Sequence, residues 1–157
     1  MSCAVAVDTK LETPEGPLTM RTVAKTPCSV MTRTDEGTIR FRMSKDARVL
    51  AEAQPTLRIA LENGLAFRVG ENQVLFKEGM QEVRADEVQP GDQLMSAFAF
   101  PAGYVYHTDE GEERTSKGTT GVRTVDAAGA AEVYSFRVNC TGRFVFSAGV
   151  LGKAEGS

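Results

Sequence analysis

The stretch from Glu132 to Leu151 limits the possible folds more than any other part of the chain. Within it, Val133-Tyr134-Ser135-Phe136-Arg137-Val138 and Arg143-Phe144-Val145-Phe146 are dominated by β-branched and aromatic side chains. Such residues lose rotamer freedom in a helix and pack well on a pleated surface, so both runs read as strands. Asn139-Cys140-Thr141-Gly142 between them favours a turn, and the local prediction is a hairpin. A second turn signal, Ala148-Gly149, follows.

The same pattern recurs upstream. Residues 28 to 61 alternate apolar with polar or charged positions, and Asp35-Glu36-Gly37 and Glu62-Asn63-Gly64 supply turns at hairpin spacing. A β meander follows, with Lys45 to Ala53 able to form one helical turn before Pro55 limits it. Residues 4 to 23 give a strand-like run, a Pro14-Glu15-Gly16 turn and a second short run, read as another hairpin. Ser96 to Phe100 reads as a strand, and about 101–131 as an exposed loop with room for one hairpin. The expected core is Val7, Leu11, Val23, Ile39, Phe41, Leu57, Ile59, Phe67, Val74, Leu75, Val88, Leu94, Val133, Phe136, Val138, Phe144 and Leu151.

At 157 residues, 41% hydrophobic and 25% charged, the chain is expected to form one all-β domain spanning 1–157. A net charge of -3 argues against a nucleic-acid or anionic-membrane partner, whose phosphates call for Lys and Arg. The most basic window, Arg33 to Arg48, also carries Asp35, Glu36 and Asp46, so a solvated strand face is expected there. Cys3, Cys28 and Cys140 form no Cys-x-x-Cys pair, and His107 is the single histidine. Neither a disulfide framework nor a metal site is expected, and no cofactor. The N-terminus lacks a basic region and an apolar run suited to a signal peptide, so a cytoplasmic monomer with reduced thiols is the expectation.

Taken together, these motifs resemble the Hint domains shared by inteins and hedgehog autoprocessing proteins. The tail matches the family's closing "V-Y-x-x-x-V, polar turn, R-F-x-x-x-G-V-L" frame. Residues 62 to 95 carry Asn63-Gly64 and Pro90-Gly91-Asp92 in the family's order, and residues 4 to 23 resemble its opening segment. An internal echo also fits: Glu15-Gly16-x-x-x-Met20-Arg21 and Glu78-Gly79-x-x-x-Val83-Arg84 share one pattern. The resemblance implies a horseshoe of two intertwined pseudo-two-fold β subdomains with little helix and with termini close together. It also implies a minimal domain, since about 101–131 is too short for the endonuclease that the family inserts there.

The resemblance further implies where chemistry would sit. The family's nucleophile lies five residues before a Thr; counted back from Thr9, that position is Ala4, with Cys3 one residue too early. The Thr and His that polarise and protonate the scissile amide fall on Val69 and Asn72. The closing His-Asn pair falls on Lys153 and Ala154. A methyl group accepts no acyl group, and Asn has no proton that titrates near neutral pH. Two function classes stay open. One is a non-splicing scaffold that binds flanking host-protein segments or a protein partner. The other is a self-processing domain using Cys3, Ser135 or Cys140; Ser135 is included because some inteins lacking the first nucleophile carry a Cys at about that place. Cys3 reads otherwise as a free thiol in a loose N-terminus, and His107 as a surface residue.

Overall fold

The computed structural model describes residues 2–97, 105–107, 111, 113–115 and 119–157. In chain order these form β1 (Val5–Ala6), β2 (Lys10–Thr13), β3 (Gly16–Thr19), α1 (Met20–Lys25), β4 (Ser29–Arg33), β5 (Ile39–Leu61), β6 (Ala66–Gly70), β7 (Val74–Lys77) and β8 (Gln81–Arg84). There follow β9 (Gln93–Met95), β10 (Val105–His107), β11 (Glu113–Thr115), β12 (Thr119–Val138), β13 (Arg143–Val145) and β14 (Leu151–Lys153). Among the described residues α1 is the one α-helix, and the all-β expectation holds.

Two long strands form the frame. β5 and β12 pair antiparallel from Val122 opposite Leu61 to Val138 opposite Ser44. Their ladder carries register shifts, which bend and twist a long strand. Pro55 lies opposite Ala130 beside one of these shifts, where a strand tolerates the missing N–H. The residues 45–53 are therefore strand and not a helical turn, and 119–131 belong to β12 and not to the loop. The short hairpin expected in that loop is present as β10 and β11, where His107 pairs with Glu113. Of the strand expected over 96–100, Ser96 forms a bridge to Val150, and 98–100 lie outside the described residues.

Two further corrections concern local signals that lost to tertiary pairing. The second run of the opening segment continues into α1, because Thr19 accepts a hydrogen bond from the Thr22 N–H at the helix start and Met20 and Val23 bury one face. In the tail, β12 pairs with β5, β1 and β9, leaving no edge for β13. β13 pairs instead with β14, around a turn closed by Gly149 N–H to Phe146 O at 2.8 Å. The Asn139–Gly142 turn thus carries the chain from β12 to the far edge of the same sheet and closes no hairpin.

The two halves do match in their backbone, but not in the register of the Glu-Gly echo: the hydrogen bonds align Met20 and Arg21 with Ala85 and Asp86, beyond the Val83 and Arg84 that the echo pairs with them. Thr9 N–H donates to Ala6 O at 3.0 Å, as Gln73 N–H does to Gly70 O at 3.1 Å. Met20 N–H to Thr9 O and Arg21 N–H to Val7 O are matched by Ala85 N–H to Gln73 O and Asp86 N–H to Glu71 O. Even the bridge from Leu11 to Phe146 has its counterpart between Leu75 and Gly152. Thr9 and Gln73 therefore occupy the same place in two pseudo-symmetric halves. The halves interlock, since β1 of the first pairs with β6 of the second at Val5 and Val69.

The core joins the halves through aromatic rings. Phe144 lies 4.8 Å from Phe136 and 4.9 Å from Phe146, centroid to centroid, and Phe146 stacks on Phe67 at 4.6 Å. Gly152 is required beneath them, because a Cβ there would sit 2.6 Å from Phe146 and 2.7 Å from Phe144. Of the expected core, Val7, Ile39, Leu57 and Val74 are only half-buried, and Phe41 is 40% exposed. Phe41 lies on the stretch of β5 that pairs only with β4, away from the sheet's packed centre. Phe144→Ala is expected to cost about 3–5 kcal/mol in denaturant unfolding, since the ring is fully buried and its neighbours cannot collapse onto the gap.

Candidate functional site

The two ends of the chain meet where the halves interlock. Ser2 Oγ donates to Ala154 O at 3.0 Å, Val74 N–H donates to Ser2 O at 2.8 Å, and Gly70 N–H donates to Ala4 O at 2.8 Å. The close termini expected from the resemblance are therefore present. A residue with no side chain is needed at Gly70, where a Cβ would lie 2.8 Å from that of Ala4 and 2.5 Å from Gln54 Nε2.

At the centre sits a residue that the motif reading passed over. Gln73 is fully buried, and its Oε1 accepts the Ala4 N–H at 2.8 Å. Its Nε2 donates to Val74 O at 2.8 Å and to Lys153 O at 3.0 Å. One amide thus holds the opening strand, its own strand β7 and the closing strand β14. Asn72, where the motif alignment had set the family's His, is half-buried, and its Oδ1 accepts from Gln54 Nε2 at 2.8 Å. The side chain facing the Ala4 nitrogen is the next one along. The backbone correspondence finds it, since Gln73 is the counterpart of Thr9, whose hydroxyl likewise crosses to the other half and donates to Arg68 O; the Glu-Gly echo, carried back in register, sets Asn72 opposite Thr9 instead.

The remaining positions divide clearly. Ala4, Val69 and Ala154 are fully buried, and Ala154 N–H donates to Gly142 O at 2.9 Å. The Lys153 side chain turns outward to Glu82, with Nζ at 2.9 and 3.0 Å from its carboxylate oxygens. Cys3 is fully buried, not a thiol in a loose terminus. Burial pushes its thiol up to about 12; the Phe136 backbone and the Ser135 hydroxyl oppose the rise, and the Glu155 carboxylate adds to it. Ser135 is itself buried, and its Oγ donates to Glu155 Oε2 at 3.1 Å. Cys140 lies apart on the Asn139–Gly142 turn, exposed and at φ 71°. Ser2, Glu155 and Gln54 complete the cluster and carry no sequence signal of their own.

No protein-family model matches the chain, and no curated protein does. Solved structures do. A mutant Ssp DnaB mini-intein aligns with TM-score 0.75 at 10% identity, covering 100% of this chain and 95% of that one. A DnaB intein from Synechocystis sp. PCC 6803 aligns at 0.74 and 11% identity, covering 98% and 99%. A bacterial intein-like domain from Clostridium thermocellum aligns at 0.72 and 16% identity, covering 98% and 99%. The fold is that of a minimal, intein-like Hint domain.

The contrast between the cysteines is open to a direct check. In the native chain at pH 8, Cys140 is expected to react with iodoacetamide within minutes, while Cys3 stays unmodified until the chain unfolds. Because the folded thiol of Cys3 titrates above the unfolded one, its contribution to stability is complete below pH 9 and is lost between about 9 and about 12. Peptide mapping after a timed pulse measures the first expectation, and alkaline unfolding of Cys3→Ser beside the parent chain measures the second.

Proposed function

We propose that this is a Hint-type domain that does not splice, and that it works as a rigid scaffold holding two peptide ends side by side. The observation that carries this reading is the Gln73 clamp. A neutral amide takes the Ala4 N–H at the place where the chemistry needs a group that gives a proton to the leaving nitrogen. The positions around it add nothing reactive. Ala4 offers a methyl where an acyl acceptor is needed, and Ala154 has no side-chain amide with which to attack its own backbone. The ammonium of Lys153 is engaged with Glu82 and turned away. What remains is a geometry in which segments flanking the domain would emerge next to each other.

One observation favours self-processing as a second reading. Cys3, Ser135 and Glu155 are contiguous, and Ser2 O accepts the Val74 N–H, which would polarise that carbonyl. In this scheme the Cys3 sulfur bonds to the Ser2 carbonyl carbon and the Ser2–Cys3 C–N bond breaks. The thiol proton passes through Ser135 to Glu155, which returns it to the freed amine. Against it stands a thiol held in its neutral form at physiological pH.

A single experiment separates the two. Fused between two folded reporters, the chain is expected to remain intact for days by intact-mass measurement, with or without added thiol. Thiol-dependent cleavage at Ser2–Cys3 that disappears in Cys3→Ala would contradict the scaffold reading and establish the second. Cleavage lost in Ser135→Ala or Cys140→Ala alone would name a different nucleophile.

A further inference from the structure

The basic window Arg33 to Arg48 takes on a different character once its partners are known. Two of its three acids are engaged, Asp35 with Arg143 at 2.6 Å and Asp46 with Arg137 at 3.6 Å, and the third, Glu36, is exposed on the turn before β5. Arg33 is also tied down, donating to Ser96 O at 3.0 Å. Arg48 is left over, exposed and with no side-chain hydrogen bond or ion pair among the described residues.

Folding brings Arg48 to two further cations from another part of the chain. Arg21 and Lys25 are on α1, and with Arg48 they line one groove of about 390 Å³ between the helix and β5. Both are exposed and equally without partners among the described residues. Among the described residues no carboxylate lines this groove. Tyr134 forms part of its wall, close enough to Arg21 for that charge to act on the phenol, and Val49, 44% exposed, supplies an apolar edge.

We propose that this groove is a binding site for an acidic, partly apolar peptide segment of a partner protein. Three unpaired cations on a chain of net charge -3 form a local field opposite to that of the molecule, which favours a short anionic ligand. A long polyanion such as nucleic acid fits less well. Its affinity grows with the number of phosphates neutralised along an extended basic stripe, and here the described residues lining the groove supply three cations, Arg21, Lys25 and Arg48. The apolar edge at Val49 is also of use to a peptide and of little use to a phosphate backbone.

Fluorescence anisotropy with a labelled peptide of about ten residues, alternating Glu with Ala and one Leu, tests this on the full chain. Saturable binding is expected with a Kd of about 10–100 µM at low salt, weakening several-fold at physiological ionic strength. Arg48→Glu and Arg21→Glu are each expected to weaken it by about tenfold or more while thermal unfolding is unchanged, because both side chains are exposed. A peptide with Lys in place of Glu is expected not to bind. Absence of saturable binding, equal binding by the charge-reversed variants, or tighter binding of an oligothymidine of equal charge would each overturn the proposal. Neither result bears on whether the chain splices, since the groove shares no residue with the Gln73 cluster.

Discussion

The structure depends on one buried amide. Gln73 has no exposed surface, yet its oxygen and both its N–H groups find partners on three strands that are far apart in sequence. A buried amide left without such bonds costs about 1–3 kcal/mol, so the side chain is stable there only when the opening strand, β7 and β14 are all in register. Thr9 performs the corresponding task in the other half, crossing to Arg68 O. Each half lends one polar side chain to the other's strand, and this reciprocity fixes how the two interlock beyond what their apolar packing specifies.

On the scaffold reading, the same clamp accounts for an intein-like fold that stays chemically quiet. The positions that would carry reaction hold a methyl at Ala4, a neutral amide at Gln73 and a second methyl at Ala154. Each fits the space without disturbing the ladder, because the backbone hydrogen bonds at Ala4, Gly70 and Ala154 do not depend on side-chain identity. On that reading fold and activity are separable, with function residing in a few side chains grafted onto a frame. In the Cys3, Ser135 and Glu155 cluster a nucleophile and a base meet, and there burial favours the neutral thiol.

Much of the frame was legible in the sequence because it rests on local rules. Strand alternation and turn residues located the β2–β3 and β5–β6 hairpins, while the Glu-Gly echo pointed to two similar halves but in a register that the backbone does not share. What misled was competition between local and long-range pairing. The tail reads as a hairpin at Asn139–Gly142 because nothing in its residues says that β5, β1 and β9 already occupy the edges of β12. Pro55 and the polar residues at 45–53 argue against strand, and only the length and irregular register of the β5–β12 ladder reconcile them. At the site, Ala4, Lys153 and Ala154 were found by spacing, whereas Gln73 was missed because a linear motif count reached Asn72. The backbone echo, running from Thr9 to Gln73, gives the right residue once the fold is known.

Native-state hydrogen exchange at the Ala4 amide, compared between the parent chain and Gln73→Leu, reads the clamp most directly. If the Gln73 oxygen holds that N–H, Ala4 is expected to exchange at the slow rate set by global unfolding in the parent. In the variant it should exchange at least about tenfold faster, with Met20, bonded to Thr9 O within the same half as Ala4, much less affected. An Ala4 amide that exchanges freely in the parent, or that is equally protected without the Gln73 amide, would contradict the claim that this side chain locks the two halves together.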